Sequence, residues 1–228
     1  KDIVRHYPFA SEKTTTTLLG YEDKKFNLTI SNNLVRQAKN KYSIVGDYFL
    51  FVSTLKPSKN IEGLIDGYKV LSERRGLSSL PQLVIGGKKG WMFKGIFKKV
   101  TELGLQNKIT FTDFVDEEDK PALIAGAKAF TLPSFWEGFG IDLLSAFGCG
   151  VPVVTSNVGS LPEVGGKAAI YVDPNNINSI ANGLEKVLNM DKFEYNKLKK
   201  LGIEQAKKFS WDKCSQKTLE VIENAVQR

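Results

Sequence analysis

The residues best placed to do chemistry lie in Pro133-Ser134-Phe135-Trp136-Glu137-Gly138-Phe139-Gly140. Glycines flank Phe139, so backbone there can approach a ligand closely. A helix opening at Ile141 would present free amides and the positive end of its dipole, a natural place for phosphate. Glu137, just ahead, can accept hydrogen bonds from hydroxyl groups. An ordinary strand-to-helix turn with Glu137 as a capping acid has the same spacing, and Gly-x-Gly alone does not separate the two. A second candidate is Lys59, in Phe51-Val52-Ser53-Thr54-Leu55-Lys56-Pro57-Ser58-Lys59-Asn60. A lysine where a strand gives way to a helix can neutralise a diphosphate without a metal. An idle lysine at a helix start would be mildly disfavoured by the dipole. A third is Gly86-Gly87-Lys88-Lys89-Gly90-Trp91, where glycines permit close approach and the lysines either meet phosphate or stay solvated.

These segments need elements to hold them. Short apolar runs at 48–52, 82–85, 108–111, 128–132, 151–154 and 169–172 predict strands. Helical spacing predicts helices over 61–73, 93–103, 117–125, 141–147, 177–188, 194–209 and 211–226. Strands alternating with helices call for an α/β fold, a doubly wound parallel sheet with right-handed crossovers. Ligands bind such sheets outside the carboxyl ends of the strands. All three candidate segments then fall on one rim.

The bulk properties narrow the classes. The chain has 228 residues, 42% hydrophobic and 25% charged, as in an ordinary globular protein. No apolar stretch reaches the roughly 20 residues a membrane span needs. The start of the chain lacks the apolar core of a signal peptide. Two cysteines, Cys149 and Cys214, make no disulfide framework and fit a reduced, cytoplasmic setting. A single histidine, His6, excludes most histidine-based metal sites within the chain. The net charge of +7 comes with lysine clusters at 88–99 and 197–208. Solvated helix faces account for the second; attraction to ligand phosphates or to an anionic membrane surface is the functional alternative. The lysines are not interleaved with aromatics in any nucleic-acid-binding motif, so nucleic acid is not expected as a partner. The first 47 residues differ from the rest, with one helix and the run Thr14-Thr15-Thr16-Thr17. A chain starting in mid-element reads as a piece of a longer protein.

Taken together, the segments resemble a known family. Phe-Val-Ser-Thr-Leu-Lys-Pro-Ser-Lys-Asn, Leu-Val-Ile-Gly-Gly-Lys-Lys-Gly-Trp, Ile-Thr-Phe-Thr-Asp-Phe-Val, Pro-Ser-Phe-Trp-Glu-Gly-Phe-Gly, Gly-Cys-Gly-Val-Pro-Val-Val-Thr-Ser-Asn and Ser-Leu-Pro-Glu-Val follow one another between Tyr48 and Trp211. Their order is similar to that in the C-terminal domain of family 4 (group 1) glycosyltransferases. The resemblance implies a Rossmann-like domain, the C-terminal half of a GT-B enzyme. It implies that 1–47 is the end of an N-terminal domain plus a connector, 48–210 the donor-binding domain, and 211–228 a helix crossing back to the N-terminal domain.

The same resemblance implies retaining transfer of a sugar from a nucleoside diphosphate sugar, a GDP- or UDP-sugar, to an acceptor hydroxyl, with no further cofactor. Glu137 and Lys59 would be catalytic, on the transferred sugar and on the diphosphate. Gly138, Phe139 and Gly140 would offer backbone to sugar and phosphate. The loop at Phe114 and Val115 would hold the base, Gly87 would line the phosphate pocket, and Gly86 and Ile141 would belong to the donor site. Ser145, counted in the donor site, stands where the family usually has a second glutamate for the ribose; its hydroxyl can hydrogen-bond ribose more weakly than a carboxylate. Asp142 stands where the family usually has proline, and its carboxylate would repel a donor phosphate nearby. An arginine often found near Lys59 is absent, with Thr54 and Ser58 at the candidate positions. Gly-Lys-Lys-Gly-Trp resembles mannosyl- and rhamnosyl-type enzymes of surface polysaccharide assembly, which implies a lipid-linked acceptor sugar and peripheral membrane contact. The donor-binding half alone is expected to transfer nothing. The rival reading, motivated by Ser145 and Asp142, is a non-catalytic sugar-nucleotide-binding or scaffolding relative.

Overall fold

Tyr48–Val52 is an unbroken run of bulky apolar residues, and all five are buried. Such a strand needs cover on both faces, which a parallel sheet between two helical layers supplies. The computed structural model, which describes residues 2–226, has that arrangement. Six strands, β1 Tyr48–Val52, β2 Gln82–Gly86, β3 Ile109–Asp113, β4 Ala129–Leu132, β5 Val153–Ser156 and β6 Ala169–Val172, form one sheet. Its order is β3-β2-β1-β4-β5-β6 and every pairing is parallel. The fold is thus the expected Rossmann-like, doubly wound α/β sheet.

The helices are α1 Asp2–His6, α2 Asn32–Lys41, α3 Ile61–Arg75, α4 Lys94–Glu102, α5 Lys120–Ala125, α6 Ile141–Gly148, α7 Leu161–Gly165, α8 Ile177–Asn189, α9 Lys192–Ala206 and α10 Trp211–Val226. On one face α3 packs against α4 and α8; on the other, α5 packs against α2 and α6, and α6 against α9. Side-chain caps fix several starts. Ser31 accepts from the Leu34 amide, Asn176 from Ser179, and Asp191 and Glu194 form a reciprocal capping box. Phe49, Phe51, Phe130 and Phe147 fill the core between sheet and helices. Truncating one of these to alanine costs about 3–5 kcal/mol.

The structure refines several boundaries. The fifth strand begins at Val153 rather than Val151, because Pro152 sits before it and lends only its carbonyl, to the Phe130 amide. The fifth helix begins at Lys120, after a turn at 116–119. The short α7, held between Pro162 and two glycines, has too few residues to show a helical period. Tyr21, Phe26, Ala38 and Ile44 lie in the core, so much of the polar segment before β1 is packed onto the sheet's helices.

Candidate functional site

The chain runs from β1 outward to β2 and β3 on one side, and from β4 outward to β5 and β6 on the other. Between β1 and β4 the loops therefore part and leave a crevice at the strands' carboxyl ends. The loop after β1 carries Lys59, in the 3-10 turn Pro57–Lys59. The loop after β4 carries Glu137 and leads into α6. Asn60 fastens these loops. It is buried, adopts the left-handed conformation at φ 53°, and its amide group donates to the carbonyls of Pro133 at 3.0 Å and Pro174 at 2.8 Å. The Phe135 amide donates to the Ser58 carbonyl at 2.9 Å, completing the fastening.

Lys59 and Glu137, far apart in sequence, thereby meet. The Lys59 ammonium lies 2.6 Å from Glu137 Oε1, and the two side chains are only 13% and 11% exposed. The Ser134 hydroxyl donates to the same oxygen at 2.8 Å. Ser134 is held in turn by Ser156, whose hydroxyl donates to its carbonyl. The Ser160 hydroxyl donates to the Glu137 carbonyl at 3.0 Å. Glu137 is thus fixed through side chain and backbone from β4, β5 and the turn before α7. A carboxylate held this firmly in low dielectric keeps one oxygen in contact with the ammonium and leaves the other for a ligand.

The start of α6 lies beside the loop that carries Glu137. Gly140 sits at φ 90°, and a Cβ there would lie 2.8 Å from a Leu161 methyl, so the position requires glycine. Among the described residues no side chain caps this helix, so its first amides have no side-chain acceptor there. At Gly138, by contrast, an added Cβ would meet only the Trp136 ring at an ordinary 3.7 Å. Protein packing does not demand glycine at that position. Phe139 packs edge-on against Phe209, 5.9 Å between ring centres, and Ile141 is partly exposed at the helix start.

The other rim segments lie on the far side of β1. Gly87 has φ 137°, and a Cβ there would lie 1.8 Å from the Ser53 carbonyl oxygen. Gly86 is similarly closed off by Val115. Both glycines are thus accounted for by loop packing. Val115 is buried, while Phe114 is exposed with the Lys88 ammonium 4.7 Å from its ring centre. Lys89 pairs with Asp113 at 3.0 Å.

Ser145 lies on the buried side of α6, and its hydroxyl donates to the Ile141 carbonyl at 3.4 Å. Asp142, a candidate for repelling a donor phosphate, pairs with Lys120 at 3.0 Å. Cys149, at the end of α6, has its thiol pushed up to about 12 by burial and stays protonated. Sequence reasoning missed Asn60, Ser134, Ser160 and Lys120. Ser134, three residues before Glu137, was visible as a local partner; the other three act across separate elements and left no local spacing to find.

The chain is similar to known proteins in sequence and in fold. The family described as "Glycosyl transferases group 1" matches residues 36–209. The O-antigen chain mannosyltransferase B of Escherichia coli is 34% identical over 218 residues, covering 96% of this chain and 56% of that protein. Mannosylfructose-phosphate synthase of Agrobacterium fabrum is 28% identical, covering 90% of this chain and 46% of that protein. A glycosyltransferase structure from Rickettsia africae superposes with a TM-score of 0.89 at 18% identity, over 99% of this chain and 61% of that one. Anabaena HepE in complex with UDP-glucose gives 0.82 at 19% identity, over 94% and 58%. The structural likenesses bear on the fold alone. The chain spans between 22% and 56% of the length of the curated relatives it matches. With the family match covering most of its length, the chain belongs to the group 1 glycosyl transferases.

Proposed function

We propose that this chain is the donor-binding half of a retaining GT-B glycosyltransferase. It would help transfer mannose from a GDP- or UDP-linked donor to an acceptor hydroxyl in surface polysaccharide or glycolipid assembly. The observation that carries this reading is the Lys59–Glu137 pair in the crevice between β1 and β4, beside the uncapped start of α6. In the proposed complex the donor diphosphate lies against the first amides of α6, and Lys59 turns from Glu137 toward it. That places a positive charge and a helix dipole where charge develops on the leaving group, the arrangement that stabilises a transition state most. Glu137, anchored by Ser134, then accepts hydrogen bonds from hydroxyls of the transferred sugar. Phe114 and the backbone at Val115 hold the base. The mannose assignment rests on the printed names of the relatives.

In this reading residues 1–47 end and follow a preceding domain, 48–210 bind the donor, and 211–228 return to that domain; 1, 227 and 228 lie outside the described residues. The packing of Gly20 against the backbone at Trp211 supports a common path for the two outer segments. Among the described residues no helix is long and apolar enough to cross a membrane. Peripheral membrane contact would use exposed lysines.

A non-catalytic relative is the second reading, favoured by the Ser145 hydroxyl being engaged with its own helix. Transfer from radiolabelled GDP-mannose or UDP-glucose to a mannoside acceptor, measured on the complete protein and on Glu137→Gln, tests both. Transfer that falls at least a hundredfold in Glu137→Gln supports the enzyme. Donor binding without transfer supports the second reading.

A further inference from the structure

Beside the crevice is a cavity of about 290 Å³, lined by Lys56, Pro57, Ile61, Glu62, Met92 and Phe135 among others. Chain neighbours of Lys59 and Glu137 form part of its wall. Pro57 belongs to the turn that ends in Lys59, and Phe135 stands two residues before Glu137 on the loop tied to Ser58. Its other walls come from α3, the start of α4 and the loop after β2, on the sheet face opposite α6. The uncapped start of α6 and the helical walls of the cavity therefore belong to opposite faces of the sheet. A transferase needs two substrate sites, and the cavity is a second one near the pair.

The chemistry of the lining is also specific. Met92 and Phe135 are 63% and 45% exposed, large apolar surfaces that the protein leaves bare next to charged groups. Met92 is held at φ 57°, a conformation uncommon for its residue type, which fixes where its loop turns. Glu62 stands on the rim with half its side chain exposed. Its contact with Lys99 is long, 3.8 Å, because Lys99 pairs closely with Asp66 at 2.6 Å. The Glu62 carboxylate therefore keeps acceptor capacity, and the exposed Lys56 supplies a donor. An apolar wall with a few convergent polar groups is the usual composition of a small-molecule site. The volume is near the lower end of such sites, roughly 300 Å³, which suits one sugar ring and not a nucleotide. A hexose presents an apolar face of C–H groups and a perimeter of hydroxyls, matching the apolar Phe135 and Met92 and the polar Glu62 and Lys56 of the lining.

We propose that this cavity is a subsite for one hexose ring of a glycan acceptor, with the ring stacked on Phe135 and Met92 and its hydroxyls held by Glu62 and Lys56. The proposal rests on the transferase reading above. It assigns part of acceptor recognition to this half of the molecule.

Saturation-transfer NMR titration of the complete protein with an α-linked mannotriose tests it. Wild type should bind in the millimolar range. Phe135→Ala and Met92→Ala should each weaken binding at least fivefold, and Phe135→Trp should restore it. GDP-mannose and UDP-glucose are titrated in parallel and report on the donor site, so failure of that site and failure of this one are separate results. Phe135 shares a loop with Glu137. If Phe135→Ala weakens both ligands, Met92→Ala decides: a fivefold loss of mannotriose alone supports the subsite, and no change overturns it. No mannotriose binding by wild type also overturns it. So does a Met92→Ala protein that loses cosedimentation with phosphatidylglycerol vesicles while its mannotriose titration is unchanged, since the surface would then serve lipid.

Discussion

Replacing Lys59 with methionine removes the ammonium while keeping most of the volume. Glu137 then remains about nine-tenths buried, with Ser134 as its one side-chain partner. Removing one member of a fully buried ion pair costs about 3–5 kcal/mol. The residual exposure and the Ser134 hydrogen bond lower this to about 2–3 kcal/mol. For a chain of this size each kcal/mol shifts Tm by about 2–4 °C, so Tm should fall by about 4–12 °C. Lys59→Met/Glu137→Leu, which leaves no orphaned charge, should recover at least half of the loss. A double-mutant cycle by urea unfolding gives the coupling energy directly. A single-variant loss below about 0.5 kcal/mol, with the two substitutions simply additive, would refute the reasoning, since the pair would then behave as a solvated one.

Three further outcomes follow from the same geometry. Asn60→Gly keeps the left-handed backbone but loses the bonds to Pro133 and Pro174. It should cost about 1–3 kcal/mol in urea unfolding, and donor affinity should fall with it as the loops part. Iodoacetamide at pH 8 should modify Cys214, which is partly exposed, and spare the buried Cys149, as read by mass spectrometry, until denaturant is added. The hydrogen bond from Lys41 holds the Asp119 carboxyl below its usual range. A depressed carboxylate stabilises the fold above its unfolded value and loses that contribution as pH falls through the folded one. Asp119→Asn should therefore be less stable than wild type at pH 6, and the difference should shrink by pH 3 in chemical unfolding.

The sheet was legible because its four inner strands, β1, β2, β4 and β5, are buried on both faces. Runs such as Tyr48–Val52 and Gln82–Gly86 carry their burial in their composition, and turn glycines mark their ends. The rim position of Lys59 and Glu137 followed from strand–helix alternation alone. That they would touch did not follow, because the contact depends on Asn60 bridging three loops and on the Phe135–Ser58 bond. Asp142 looked like a liability on the sequence, since its partner Lys120 sits on a different helix. Ser145 looked available for a ribose, since nothing in the sequence says that its hydroxyl turns back onto α6. Gly86 and Gly87 were expected at the ligand, and loop packing alone already calls for a glycine at both, through the Val115 side chain at Gly86 and the Ser53 backbone at Gly87. Local patterns carry strands, caps and turns; contacts between loops depend on the assembled sheet.

In the proposed complex the crevice between β1 and β4 binds a nucleoside diphosphate sugar through Lys59. Isothermal titration of GDP-mannose and UDP-glucose into wild type and Lys59→Ala tests it most directly. One donor should bind wild type, and Lys59→Ala should weaken it about 10–100-fold, the loss of one charge-assisted hydrogen bond of about 1.5–3 kcal/mol. Equal affinity in the two proteins, or binding of neither donor by wild type, would contradict the account.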